Sequence, residues 1–430
     1  MTPTLLDQWK YAVQCGLTDH VRNLFRDHAE LVGRINDPVF SFDSTAVFHA
    51  RENIELLDLL IEHGADLNRK TTWWAGGFGI LEGLDAESAA PLIKRGAVVD
   101  IWAAVSMNDT ATVKRLLDEN PDCISARGGD GKHPLHYAPD AAMVDLLVAR
   151  GADVNARDID HESTPAQWLV NNEPVVRRLL HHGAEPDVFL AAALGDADLV
   201  KRCLEVDPDC SSGRLGIGAW SCKNPRAGGH IYSWELGHDA TPLDVARERG
   251  HDAVLALLLE HSSPFTRLRY AIWHGDRDEV ESIRKSDPEA VDRLRAIEPA
   301  MMARAAWWYR PDAVKLLLEL GFDRHAAGVH DSTPLDRAAF HGYADVVAAL
   351  LDGDDDPPLA RLNEFGGTPL TACMHGAVHG WETGHPQNHA RTVELLIAAG
   401  SEYDVEWVPT GSAEVDAALL AEGETDEGEG

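Results

Sequence analysis

HPLHYAPDAAMVDLLVARGADVNARD, residues 133–158, holds the punctuation that decides the fold. Pro134 stands where a short helix opens, MVDLLVA has the spacing of a second helix, and Gly151 stops it. The same grammar returns in STPAQWLVNNEPVVRRLLHHGAEPD (163–187), ATPLDVARERGHDAVLALLLEH (240–261), STPLDRAAFHGYADVVAALLDGD (332–354) and GTPLTACMHG (367–376). A threonine such as Thr241 or Thr333 is placed to cap a helix through its hydroxyl, with proline at the first helical position. Gly250, Gly275 and Gly342 end these inner helices. An outer helix such as VLALLLEH follows and stops at a second glycine: Gly64, Gly151, Gly183, Gly321 or Gly400.

Recurrence at this spacing resembles the ankyrin repeat, because Thr-Pro-Leu, Gly-Ala-Asp and the interval between them return together. With these anchors, weaker copies become readable at Leu5 to Asn36, Thr45 to Lys70, Trp73 to Asp100, Ile101 to Asp130, Val188 to Ser212, Phe265 to Leu294 and Glu298 to Gly328. Three of them replace the Gly-Ala-Asp finger by Asn120-Pro121, Asp207-Pro208 or Asp287-Pro288, where proline still forbids helix continuation. The resemblance implies an all-α solenoid of about twelve helix-turn-helix units over residues 1–407. Two segments break the period: an inserted loop at 213–238, and GAVHGWETGHPQNHA (376–390), which lengthens the turn of the last repeat. Residues 408–430 read as an acidic Gly/Glu-rich tail, with a short helix at SAEVDAALLAE and a disordered EGETDEGEG that only solubilises the end.

Composition narrows the function classes. The 430 residues are 44% hydrophobic and 25% charged, as in a folded chain with a large core. A net charge of -33, from 71 acidic and 38 basic residues, repels phosphate backbones and argues against nucleic acid. Cys15, Cys123, Cys203, Cys210, Cys222 and Cys373 include no CxxC pair, as expected of reduced thiols. The N-terminus has no signal-peptide pattern and no apolar run is long enough to span a bilayer, so a cytoplasmic protein away from membranes is expected.

TTWWAGGFGILE from Thr71, ARGGDGKHPLHYA from Ala126, DIDHESTPAQ from Asp158 and RAGGHIYSWELG from Arg226 are also similar to segments of uncharacterised bacterial ankyrin-repeat domain-containing proteins. The ankyrin resemblance implies binding along a concave groove, which makes a non-catalytic module for a protein or peptide the expected function. In that pattern the two residues before the inter-helix glycine face the groove. Here they are Trp273 and His274, Trp307 and Trp308, Phe340 and His341, and Met374 and His375. Rings with one polar edge suit a binding surface, although aromatics at helical spacing also fill cores. Trp381 in the lengthened turn adds to this set. Trp73 and Trp74, beside Phe78 and the glycines at 76, 77 and 79, fall where an inner helix should lie loosened by those glycines. His161, Asp160 and Trp168, with Arg226, His230, Tyr232 and Trp234 of the insert, form a further candidate set.

Catalytic signatures are absent: there is no P-loop, HExxH, GxSxG or strand-borne GxGxxG. An enzyme would have to use His341 or His161 with Asp160 or Glu162 over a substrate stacked on tryptophan, in a small-molecule pocket closed by the 213–238 loop. Cys373, His375, His379, His385 and His389 are rich in metal-ligand types but have no diagnostic spacing. The expectation is therefore no cofactor and no metal.

Overall fold

The computed structural model describes residues 4–426, and the chain forms two compact units, Met1–His261 and Ser262–Gly430. Both are built of helices; among the described residues the sole β feature is an isolated bridge between Phe40 and Ser44.

In the first unit short and long helices alternate, as in Ile101–Ser106 with Thr110–Glu119, Val188–Ala193 with Ala197–Val206, and Pro242–Glu248 with Asp252–Glu260. The caps are those the sequence announces. Thr241 accepts the Asp244 N–H while the Asp244 carboxylate accepts the Thr241 N–H, and Thr333 and Asp336 repeat this box in the second unit. Each helix pair is amphipathic, and its apolar residues, such as Leu56, Leu57 and Leu60, vanish into a shared core. Burial of each such leucine contributes about 1.5–3 kcal/mol.

Neighbouring fingers are tied by an asparagine rung. Asn68 donates to the Gly96 carbonyl at 3.0 Å and accepts the Val98 N–H at 2.8 Å; Asn155 does the same with Gly183 and Glu185 at 3.2 and 2.9 Å. One amide thus satisfies both a donor and an acceptor of the next finger.

Two features differ from the sequence reading. No inner helix forms at 73–79: the backbone instead makes a loop closed by Thr71, whose N–H donates to the Phe78 carbonyl and whose hydroxyl accepts the Phe78 N–H, both at 3.0 Å. Glycine is needed there by close approach, since a Cβ at Gly76 would lie 2.2 Å from the Gly128 carbonyl and one at Gly77 2.2 Å from that of Thr71. The insert is also folded rather than loose, with a helical turn at Tyr232–Glu235 and with Leu215, Ile231 and Tyr232 inside.

In the second unit Pro264–Trp273, Met301–Trp307, Pro334–Phe340 and Pro369–His379 form the inner row. The tail forms the short helix expected at SAEVDAALLAE, but that helix docks on the core instead of only solubilising the end. A helix occupies Ala413–Asp426, and Val415 and Leu419 join the core with Val393 and Leu396. Apolar residues four apart share one helix face, which explains why this acidic segment docks. The last four residues lie outside the described ones.

Candidate functional site

Four separated segments meet in the first unit: the loop at 71–82, the fingers at 126–133 and 158–163, and the insert at 222–231. Glu82 joins the first two. Its carboxylate accepts the Gly129 N–H at 2.7 Å, the Gly79 N–H at 3.1 Å and the Tyr137 hydroxyl. The Phe78 ring lies directly over Gly129, where a Cβ would come within 2.1 Å of it. The two fingers are joined through the Asp130 carbonyl, which accepts the N–H groups of Ile159 and Asp160 at 2.8 and 3.0 Å. Asp158 holds its own finger by accepting the N–H groups of His161 and Ser163.

The insert then crosses the second finger. Gly228 donates its N–H to Asp160 at 3.0 Å, His161 Nδ1 is 2.6 Å from the Gly229 carbonyl, and the Glu162 carboxylate accepts the N–H groups of Lys223 and Asn224 at 3.0 and 2.9 Å. The Arg226 guanidinium sits 4.6 Å over the Trp74 ring, tying the insert to the first loop.

Charge is concentrated beneath. Lys132 Nζ lies 3.7 Å from Asp130 Oδ2, 4.2 Å over the Trp168 ring and 4.5 Å over the Tyr137 ring. Burial lowers the Lys132 pKa against the pull of Asp130, Glu82 and Asp158, and raises those of Asp130 and Asp158. Burial and the adjacent Glu82 carboxylate keep the Tyr137 phenol protonated. Asp130 itself is held at φ 57°, a left-handed conformation uncommon for anything but glycine.

In the second unit the aromatic residues of the inner row gather. Trp307 stacks on Phe340 with centroids 5.7 Å apart and meets the His341 ring edge-on at 4.3 Å; Phe340 reaches His375 at 6.1 Å. The lengthened turn folds back so that Trp381 covers Trp307, Phe340 and His341 at 5.3–6.0 Å, held by Gln387, which donates to the carbonyls of His341 and Trp381. Arg337 lies 4.6 Å over Trp307. Trp381 and Trp308 remain exposed, Trp307 and Phe340 half-buried, and His341 is only 2% exposed.

The sequence-derived candidates thus fall into three groups. Trp307, Phe340, His341, His375 and Trp381 form one cluster; Trp273, beneath Arg310 at 5.7 Å, and His274, against Tyr270 at 4.4 Å, belong to the preceding helix. Trp73, Trp74, His161, Trp168 and Arg226 belong to the four-segment junction, with Trp234 exposed at its edge. Tyr232 does not face a groove: it is fully buried and donates to Asp187 at 3.0 Å. Positions two apart on a helical turn point about 200° apart, so Trp234 and Tyr232 cannot share a face. Lys132, Asp130, Glu82 and Tyr137 escaped the sequence reading. For Asp130 and Lys132 the signal was GGDGK, a charged pair inside a glycine run. Cys373 is buried with its Sγ 3.6 Å from the His389 carbonyl, and His389 is near the Phe340 carbonyl, so neither is presented beside the exposed His375 and His379.

Comparison with known proteins gives the repeat its name. The family model described as ankyrin repeats (3 copies) matches residues 101–189. Rat ankyrin repeat and SAM domain-containing protein 6 is 35% identical over 121 residues, 27% of this chain and 13% of that protein. The mouse protein of the same name is 34% identical over 121 residues, and Arabidopsis thaliana serine/threonine-protein kinase VIK is 36% identical over 77 residues, 17% of each chain. The chain spans less than a fifth of these relatives. No helix among the described residues is long and apolar enough to cross a membrane.

Proposed function

We propose that this chain, which carries ankyrin repeats, is a non-catalytic cytoplasmic binding module that holds a protein or peptide partner. Ankyrin repeats in general serve protein–protein interaction. The observation that supports the site is the ring cluster of the second unit. Trp307, Phe340, His375 and Trp381 come from different helices and one turn, are fixed against one another, and still expose aromatic surface. Rings already held in place lose little freedom on binding. With 71 acidic against 38 basic residues, the field favours a partner rich in lysine or arginine.

Trp381→Ala and Trp308→Ala test this, since both side chains are exposed and their loss leaves the core intact. Immobilised wild type should capture a basic peptide or protein partner that both variants lose, with far-UV circular dichroism unchanged. Equal capture by all three proteins rules the ring cluster out.

A second reading, a small-molecule site, is favoured by the insert lying across buried charge at Asp130, Lys132 and Asp160. An acid–base reaction there would use Asp160 and His161 beside Trp168, whose ring centroid is 5.0 Å from the imidazole.

A further inference from the structure

The junction in the first unit contains a chemical mismatch. His161 Nδ1, 2.6 Å from the Gly229 carbonyl, must donate to it, which in a neutral imidazole leaves Nε2 as a bare acceptor. That nitrogen faces Asp160 Oδ2 at 3.7 Å, another acceptor and too distant for a hydrogen bond. The imidazole is nine-tenths buried, and Asp160 and Asp130 are buried more deeply still. With the imidazole neutral, the two acceptors of different residues therefore face one another, with Asp130 beside them.

The charge balance leads the same way. Glu82, Asp130, Asp158 and Asp160 are each at most 7% exposed, and the comparably buried cation among them is Lys132. Glu82 and Asp158 have both oxygens engaged by N–H or O–H donors. Asp160 uses only Oδ1, for the Gly228 N–H, and Asp130 Oδ2 has only the Lys132 ammonium at 3.7 Å. Buried carboxylates in this excess are met by protonation, the direction in which burial pushes Asp130 and Asp158, or by a cation.

We propose that Asp130, Asp160 and His161 form a binding site for one divalent first-row transition ion, ligated by a carboxylate oxygen of each aspartate and by His161 Nε2. One ligand atom of each residue lies within 4.8 Å of the other two, and His161 Nε2 is 3.7 Å from Asp160 Oδ2. Metal–ligand bonds of about 2.0–2.2 Å separate tetrahedral ligands by about 3.4 Å and opposed octahedral ligands by about 4.2 Å, so closure needs shifts below about 1 Å. Imidazole with carboxylates and no thiolate suits zinc, manganese, iron or cobalt, and the imidazole disfavours magnesium and calcium. The His161 Nδ1–H bond to the Gly229 carbonyl fixes the tautomer and aims the ring, as the outer partner of a metal-bound histidine does. Three protein ligands leave a coordination position open for water or for a group delivered under the insert. The site is separate from the ring cluster and does not depend on the partner reading.

The test uses the full chain, stripped with a chelator and titrated with Co²⁺ by visible absorption and with Zn²⁺ and Mn²⁺ by calorimetry. Wild type should take up one ion per chain. Asp160→Asn keeps an oxygen for the Gly228 N–H but removes the charge, and should bind at least tenfold more weakly with unchanged circular dichroism. Asp130→Asn should do the same, and serves as the comparison if Asp160→Asn does not fold. A His375→Ala/His379→Ala protein should bind as wild type. Absence of uptake at millimolar ion, or uptake equal in wild type and the aspartate variants, overturns the site. Loss of uptake in the His375/His379 variant overturns it too, by placing the ion elsewhere.

Discussion

Lowering the pH from 7.5 to 5 should weaken the second unit through His341. This residue closes the helix Pro334–Phe340, where the helix dipole would normally favour a protonated imidazole by about 0.3–1 kcal/mol. Burial opposes that and wins. The ring is enclosed by Trp307, Phe340, Tyr343 and Trp381, its two nitrogens find no hydrogen-bond partner, and Arg337 and His389 add like charge, so its pKa falls from 6.5 to about 4. The folded pKa lies below the unfolded one. Stability is therefore complete above about pH 6.5 and is lost as the pH falls toward about 4. From pH 6.5 to pH 5 the difference builds over about 1.5 units, which at 1.36 kcal/mol per unit is about 2 kcal/mol.

The assay is urea unfolding at pH 7.5 and pH 5 for wild type and His341→Gln, read as the difference between the two proteins. Asp336, whose pKa burial raises, acts in the opposite direction at acid pH but is common to both and cancels. Wild type should lose about 2 kcal/mol more than the variant. A direct reading is the His341 Cε1–H proton shift, which should not titrate above pH 5. Equal pH dependence in the two proteins, or an imidazole titrating near 6.5, would refute the argument.

Glu82→Ala should cost about 3–5 kcal/mol, because the Gly79 and Gly129 N–H groups and the Tyr137 hydroxyl lose their acceptor together, whereas Glu82→Gln should cost less than half of that; thermal unfolding of the three proteins decides it. Cys373 is fully buried and its thiol pKa is pushed far up by burial, so at pH 8 a thiol reagent should label the exposed Cys15 rapidly and leave Cys373 unmodified until urea unfolds the second unit. Rapid native labelling of Cys373 would contradict the packing described.

The helix boundaries were legible because they are written in local chemistry. Thr241 and Thr333 with their prolines, and the glycines that end outer helices, act within a few residues, and the structure uses them as caps and stops. Helix-forming pattern alone misled at 73–79. Its periodic place in the chain called for an inner helix, but Gly76 and Gly77 allow the backbone to approach Gly128 and Thr71 so closely that a loop forms instead. At the tail the short helix of SAEVDAALLAE was legible, but the acidic composition hid that Val415 and Leu419, two apolar residues on one face, are enough to dock it on the core.

The junction of the first unit was only partly legible because its contacts join residues far apart in the chain. Glu82 meets Gly129 across 47 positions and Asp160 meets Gly228 across 68. No periodicity reports such pairs. What the sequence did mark were the four segments themselves, through one shared resemblance; it joined only the second finger and the insert as a candidate set and gave all four no single purpose. Their convergence gives them one: TTWWAGGFGILE supplies Glu82 and the ring over Gly129, ARGGDGKHPLHYA supplies Asp130, Lys132 and Tyr137, DIDHESTPAQ supplies Asp160 and His161, and RAGGHIYSWELG supplies the backbone that orients that pair. A repeat protein that needed only to stack would fill these finger positions with small or singly capped residues. Four buried carboxylates, a buried lysine and an imidazole carry a desolvation cost that stacking does not require. The asparagine rungs at 68 and 155 show how little is needed to hold one finger to the next. The excess of buried charge over that requirement is the physical reason for placing a ligand there.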